Sequence, residues 1–159
     1  MWKIDRRTSV TLSFVLAWLF LGGLIAGAGL LPWLMVLFEE LGYWGDSPVD
    51  RIVTLCLLYA VLAVAFVAIV VLLLLLKRVR AGEVFCGASV GYLRLLSWAC
   101  FGEALLFGVL TALRSLSPLG LAASGILCVA ALFLGLLLRV VKNVIEEATH
   151  IKAENDFTI

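Results

Sequence analysis

Glu103 is the residue whose position in the chain most directly suggests chemistry. It stands in the stretch from Leu95 to Leu113, which carries no other charged residue. A charged side chain at the centre of a membrane helix costs about 2.5–3.5 kcal/mol on insertion scales unless it is neutralised or paired. We therefore expect Glu103 to face the interior of a helix bundle. Three roles fit it: a proton or cation site, a contact for a cationic or amphipathic ligand, or a protonated carboxyl bonded to a neighbouring helix.

The remaining inventory of reactive residues is sparse. His150 is the only histidine, so no second imidazole is present to build a metal pair. The four cysteines, Cys56, Cys86, Cys100 and Cys128, show no C-x-x-C spacing, and three of them lie in apolar runs, where cysteine behaves as a small hydrophobic residue. No glycine-rich phosphate loop with its lysine is present. We therefore expect no catalytic residue, no metal, no cofactor and no enzymatic activity.

Four long apolar runs dominate the chain. Of its 159 residues, 64% are hydrophobic and 14% are charged, which leaves too little polar surface to cover a water-soluble globule. Each run can cross a bilayer, since about 30 Å of hydrocarbon takes on the order of 20 helical residues. We expect an all-α polytopic membrane protein, a four-transmembrane-helix bundle that forms a single domain over residues 1–159. The predicted helices cover approximately 9–38, 52–76, 90–113 and 116–150, and the tail 139–159 is a cytoplasmic C-terminal helical extension.

The first apolar run, Thr8 to Phe38, holds two further features. It exceeds the roughly 7–15 apolar residues of a signal peptide, so we expect a retained helix. Pro32 predicts that the span either ends just before this residue or continues with a kink toward Phe38. Gly23 and Gly27 are spaced so that another helix can approach closely. That close contact lies either within the bundle, which we favour, or between two copies in a homodimer.

The basic residues indicate the orientation of the helices. Ten Lys and Arg residues fall on one side of the predicted membrane and two on the other. Under the positive-inside rule this bias predicts that both termini lie in the cytoplasm. The ten are Lys3, Arg6, Arg7, Lys77, Arg78, Arg80, Arg94, Arg139, Lys142 and Lys152, and the two are Arg51 and Arg114. A net charge of +1 offers no field that would attract nucleic acid, so we expect no direct nucleic-acid binding.

The C-terminal tail has an apolar stripe. Val141, Val144, Ile145, Ala148 and Ile151 recur at helical spacing, with charged and polar residues around them. A stripe of this length could pack on the loop at residues 77–94, receive a partner protein, or pair with its twin in a dimer. The acidic character of the polar face argues against binding at the membrane surface, which favours Lys and Arg.

Two stretches of the chain carry a resemblance to a known family. The first, from Leu76 to Phe85, reads LKRVRAGEVF, and the second, from Val144 to Ile159, ends in ENDFTI. In these stretches and in its four-helix plan, the chain resembles the bacterial membrane-protein family catalogued as domain of unknown function 2975. That family commonly has a Thr and then Glu-Asn after the loop, where this chain has Cys86 to Ser89. We therefore expect Ser89 to serve as a substitute N-cap of the third helix.

The resemblance implies a regulatory role rather than a reaction. Family members are often encoded beside small helix-turn-helix transcription regulators, which suggests a membrane-bound sensor or sequestering partner of such a regulator. The two stretches would form one cytoplasmic docking surface, in which the basic loop pairs with the acidic tail. Its predicted members are Lys77, Arg78, Arg80, Phe85, Glu146, Glu147, Glu154, Asp156, Phe157 and Ile159. The alternative is a small transporter or resistance-type membrane protein that uses Glu103 as its ion- or substrate-coupling carboxylate.

Overall fold

Four long α-helices make up the described protein. The computed structural model describes residues 6–40, 48–82, 86–113 and 118–156. Helix α1 comprises Arg6–Glu40, α2 Pro48–Arg80, α3 Gly87–Ala112 and α4 Pro118–Asp156. No strand occurs in these ranges, and each helix is long and apolar enough to cross a membrane. The predicted all-α, four-helix architecture is confirmed, and α1 and α2 extend beyond their predicted bounds at both ends.

Proline, glycine and charge mark the ends of these helices. Pro48 and Pro118 open α2 and α4, where the missing amide hydrogen would have had no helical partner. Asp50 lies in the first turn of α2 and three basic residues lie in its last turn, which complements the helix dipole. After α2 the chain turns at Gly82, whose φ of 83° lies in the left-handed region that favours glycine. These signals carry α2 beyond its apolar run.

Pro32 lies inside α1, which continues to Glu40. The expectation that the span ends near Leu31 is therefore wrong, since the helix continues past Pro32, and the expected kink stays a prediction. An interior proline removes one backbone hydrogen bond, and helices in an apolar environment tolerate this loss when local adjustments satisfy the freed carbonyl.

Each helix packs against its neighbour in the chain. Helix α1 contacts α2, α2 contacts α3, and α3 contacts α4, while the described parts of α1 and α3, α1 and α4, and α2 and α4 do not approach each other. Helix α3 packs against both α2 and α4, and these two contacts are more extensive than the contact between α1 and α2. It also holds most of the buried residues among the described ones. The four helices therefore form an open antiparallel row.

Small and polar residues line the seam between α3 and α4. The Ser97 hydroxyl donates a hydrogen bond to the Gly135 carbonyl at 2.9 Å. Nearer the other end of the seam, the hydroxyls of Thr111 and Ser124 share a hydrogen bond of 2.8 Å. Small residues let two membrane helices approach closely, and these bonds satisfy polar groups that lipid could not. The two bonds together set the register of α3 against α4.

The contact between α1 and α2 is held by polar groups at two levels. The Tyr59 hydroxyl donates a hydrogen bond to the Ala28 carbonyl at 3.2 Å. Near the ends of the two helices, Arg51 forms an ion pair with Glu39. Both bonds join α1 to α2 in the antiparallel sense, and they tether the C-terminal half of α1 to its neighbour.

The glycine face of α1 does not take part in this contact. A side chain at either Gly23 or Gly27 would meet no atom within 4 Å. Our preference for a close contact of these glycines within the bundle is therefore wrong. The reason is that α1 has α2 as its one neighbour in the described structure, and the two glycines do not approach it. The alternative, a homodimer through this face, stays a prediction.

Candidate functional site

Glu103 lies on the inner side of α3. Its two neighbours face different helices: a side chain at Gly102 would meet Val64 of α2 at 3.8 Å, whereas Ala104 is buried toward α4. The Ala104 carbonyl accepts a hydrogen bond from the Cys128 thiol of α4 at 3.2 Å. Both carboxylate oxygens of Glu103 are enclosed by protein, and neither has a hydrogen-bond partner in the described structure. The Glu103 carboxyl is therefore enclosed by protein, as expected, although the described helices form an open row rather than a closed bundle.

An enclosed carboxyl without a hydrogen-bond partner is limited in what it can do. An isolated ionised carboxylate is costly in an apolar interior, so the group needs a proton or a cationic partner there. The bond to a neighbouring helix, one of the three roles considered, is not formed within the described ranges. In those ranges no group of three or more His, Cys, Asp or Glu residues could hold a metal ion. The geometry fits a site for a proton or for one cationic group of a ligand.

The junction between α2 and α3 brings together a cation, an aromatic ring and a thiol. The Arg78 guanidinium lies over the Tyr92 ring, 5.8 Å from its centroid, and its Nη1 is 4.0 Å from the Cys86 sulfur. Cys86 occupies the N-cap position of α3 with extended backbone, and its carbonyl accepts a hydrogen bond from the Ser89 amide at 3.0 Å. The expectation that Ser89 caps α3 is therefore wrong. The helix begins earlier, at Gly87, and Ser89 lies in its first turn.

The environment of Cys86 favours its thiolate form. The Cys86 sulfur and the Ser89 hydroxyl lie 3.3 Å apart, and this side-chain contact is the main cause that lowers the pKa of the thiol below its ordinary value. The Ser89 and Ala88 amides and the charge of Arg78 act in the same direction, while burial opposes them. A helix N-terminus and a neighbouring guanidinium are the usual means by which proteins stabilise a thiolate. Cys86 is the one cysteine outside the apolar spans, and these surroundings make it a candidate nucleophile.

Helix α4 continues past its apolar run as an amphipathic helix. Lys142 Nζ lies 2.6 Å from a carboxylate oxygen of Glu146, one helical turn further along. The same spacing joins His150 and Glu154, whose Nδ1 and Oε1 are 3.4 Å apart. The predicted helical extension of α4 is confirmed as a helix to Asp156. Its exposed apolar side chains include Val140, Val141, Val144 and Ile151.

The structure places the described docking residues at one end of the molecule without joining them. Lys77, Arg78 and Arg80 lie in the last turn of α2, and the antiparallel row brings the C-terminal part of α4 to this same end, which we call the basic end. On α4 lie Glu146, Glu147 and Glu154. Phe85, Phe157 and Ile159 lie outside the described residues, as does the side chain of Asp156.

The expected pairing between the basic loop and the acidic tail is not formed by the described residues. Helix α3 stands between α2 and α4, which do not approach each other. The ion pairs described for Glu146 and Glu154 are made with residues of α4 itself. The predicted docking residues therefore form two separate groups at the basic end, one on α2 and one on α4.

Sequence reasoning missed one cluster at the basic end. The Arg139 guanidinium of α4 lies over the Trp98 ring of α3, 5.7 Å from its centroid. Arg94 is one helical turn before Trp98 and is exposed on α3. The spacing of Arg94 and Trp98 was a readable signal, but the approach of Arg139 depends on the register between two helices, which no single-helix pattern shows.

The part of the chain that the structure describes consists of four antiparallel helices, each long and apolar enough to cross a membrane, and it fits the class of small multi-pass membrane proteins. Within that class the chain belongs to the family described as "Protein of unknown function (DUF2975)", whose family model matches residues 24–159. The family assignment expected from the loop and tail stretches is thus confirmed. No curated protein and no solved structure matches the chain.

Proposed function

We propose that the protein is a non-enzymatic, multi-pass protein of the bacterial cytoplasmic membrane, with both termini in the cytoplasm, that holds a cytoplasmic partner. The partner we propose is a small helix-turn-helix transcription regulator. The length of α4 is the observation that carries this proposal. A helix of 39 residues is about 58 Å long, of which about 30 Å crosses the hydrocarbon core. Roughly half of α4 therefore projects from the membrane at the basic end.

The projecting part of α4 carries apolar side chains that water disfavours. Val140 is 60% exposed, Val144 63% and Ile151 52%, so no described helix covers them. An amphipathic helix that presents an apolar stripe is typical of segments that lie in a groove of a partner protein. The ion pair between Lys142 and Glu146 lies within α4 and stabilises this helix before any partner binds. A helix formed before binding loses less conformational entropy when the partner arrives.

Charge supports the orientation that this proposal needs. The last turn of α2 carries Lys77, Arg78 and Arg80 at the basic end. At the opposite end, the described parts of α1 and α2 carry Glu39, Glu40 and Asp50 beside the single cation Arg51. Basic residues are enriched on the cytoplasmic side of membrane proteins, so the basic end and the projecting helix are proposed to face the cytoplasm.

Affinity purification from native membranes tests the proposal. The variant Val144→Ser with Ile151→Ser removes the centre of the exposed stripe, and Asn143→Ser, on the same helix, is its matched control. We expect a small DNA-binding regulator to copurify with the unaltered chain and with the control and to be lost from the double variant. Recovery of the regulator with all three chains, or with none of them, would contradict the proposal. A homodimer through α4 would instead appear as copurification of a second, differently tagged copy.

A second candidate function rests on Glu103. Its two enclosed oxygens have no hydrogen-bond partner in the described residues, which leaves them available to a proton or a cationic substrate, as in a small transporter or resistance-type protein. Transport would make the carboxyl alternate between proton and cationic substrate. A proton-linked flux in liposomes that is lost in Glu103→Gln would favour this function over the regulatory one.

A further inference from the structure

The exposed face of α3 at the basic end carries a cation stacked on an aromatic ring. The Arg139 guanidinium lies 5.7 Å from the centroid of the Trp98 ring. Trp98 in turn meets Phe101 edge to face, with centroids 6.1 Å apart and planes at 70°. Trp98 nevertheless keeps 60% of its surface exposed, so one side of the ring remains open. The stack holds Arg139 against α3 in a defined position.

A second guanidinium lies one turn from this stack. Arg94 and Trp98 are separated by one helical turn of α3, so they share a face of the helix, and Arg94 is exposed. Neither Arg94 nor Arg139 forms an ion pair with a carboxylate of the described residues, whereas the nearby Lys142 is paired with Glu146. The face therefore carries two positive charges that the described protein does not neutralise.

A count of helical residues predicts that both arginines lie at the depth where lipid headgroups meet hydrocarbon. About 20 residues cross the hydrocarbon core. Counted back from the end of α3 at Ala112, a span of that length stops near Arg94, and counted forward from Pro118 on α4 it stops near Arg139. The count along α3 and the separate count along α4 therefore predict the same membrane depth for Arg94 and Arg139. Trp98 lies just inside that level, which is typical of interfacial tryptophan.

We propose that Arg94, Trp98 and Arg139 form a binding site for the headgroup phosphate of an anionic phospholipid. Guanidinium groups bind phosphate oxygens through paired hydrogen bonds, and the stack on Trp98 orders one of them in advance. The same face of α3 continues to Leu105, which is 71% exposed and offers a surface for the acyl chains. That apolar continuation favours a lipid over free phosphate. The site does not depend on the proposed cytoplasmic partner.

Lipid quenching of Trp98 fluorescence tests the site. The protein is reconstituted into phosphatidylcholine vesicles that contain a small fraction of either brominated phosphatidylglycerol or brominated phosphatidylcholine. Subtracting the signal of Trp98→Phe isolates the emission of Trp98. Two arginines near an anionic headgroup are expected to enrich phosphatidylglycerol at Trp98 on the order of tenfold. The brominated phosphatidylglycerol should therefore quench this component more strongly than the brominated phosphatidylcholine.

Arginine variants and a soluble competitor complete the test. Arg94→Gln with Arg139→Gln should remove the lipid preference, while Arg80→Gln, an exposed cation at the basic end outside the site, should keep it. Because both substituted arginines are exposed, the double variant should insert and fold, which circular dichroism verifies. Equal quenching by the two lipids, or a preference that survives the double substitution, would overturn the proposal. Release of the quenching by inorganic phosphate would likewise overturn the assignment to a lipid.

Discussion

The hydroxyl of Ser97 donates a hydrogen bond to the carbonyl of Gly135 at 2.9 Å and so joins α3 to α4 where the two helices pack tightly. There is little room for a side chain at Gly135. A Cβ atom there would lie 3.3 Å from both the Cβ of Cys100 and the ring of Phe101. The seam should therefore be sensitive to volume at this one position of α4.

Replacement of Gly135 by leucine should destabilise the seam. Overpacking of this kind typically lowers the free energy of unfolding by about 1–3 kcal/mol. The matched control is Gly125→Leu on the same helix, where a Cβ would meet no atom within 4 Å. The control should be neutral or slightly stabilising, because glycine is a poor residue for a helix interior. Denaturant unfolding in mild detergent measures both, and equal stability of the two variants would refute this register of α3 and α4.

The pH dependence of Cys86 alkylation should reflect the lowered pKa of this thiol. The thiolate is the reactive form, so a lowered pKa shifts the midpoint of the pH profile for maleimide labelling below that of an ordinary thiol. Ser89→Ala removes the main stabilising contact and should move the midpoint upward. Arg78→Gln should move it upward by less, because this charge contributes least. Cys86→Ser provides the blank, and an unchanged midpoint in Ser89→Ala would show that the hydroxyl does not stabilise the thiolate.

Substitution of Glu103 should separate function from stability. Because the carboxyl has no hydrogen-bond partner to lose in the described structure, Glu103→Leu should leave the free energy of unfolding unchanged or raise it by about 1 kcal/mol. Glu103→Gln should also fold, yet it should abolish any proton-linked transport or sensing, since an amide does not titrate. Unfolding in detergent and proton uptake by liposomes are the measurements. A marked loss of stability in both variants would instead reveal a structural bond.

Reporter fusions should reproduce the orientation that the basic residues indicate. Fusions after Gly45 and after Leu116 should report the outer side of the membrane, and fusions after Gly82 and Ile159 the cytoplasm. The expectation follows from four consecutive spans with their basic end inside. A cytoplasmic signal from the Gly45 fusion would contradict the four-span topology.

The sequence predicts the four helices well, because lipid leaves a chain of this composition few other ways to satisfy its backbone. It predicts helix ends less well. The apolar run of α2 ends at Leu76, but the basic residues that favour a helix C-terminus carry the helix to Arg80. At α3, the preference of helix N-termini for a serine side chain predicts Ser89 as the cap, whereas the helix begins after the extended Cys86, which makes no side-chain cap hydrogen bond.

Residue spacing within one helix shows that the helix can approach another closely, but it does not identify the partner helix. Gly23 and Gly27 have a spacing that permits close approach, but spacing does not say which helix comes near. Small residues recur every three or four positions along α3, at Ser97, Cys100, Ala104, Gly108 and Thr111. This spacing is a signal for a close helix contact that the sequence analysis did not use. The stack of Arg139 on Trp98 needs the register of two helices, so it became visible only in the structure.

The proposed function depends most on the end of α4. The chain shortened by Asn155 to Ile159 keeps every described contact between helices, so its membrane level and unfolding in detergent should match those of the full chain. Affinity purification of both chains from native membranes then measures whether the DNA-binding regulator is retained. We predict that the regulator accompanies the full chain and is lost from the shortened one. The deletion removes Asp156, Phe157 and Ile159, which the sequence predicts as docking residues beside the exposed stripe of α4. A shortened chain that still binds the regulator at full strength, or that loses its fold and membrane level, would contradict a docking role for these tail residues.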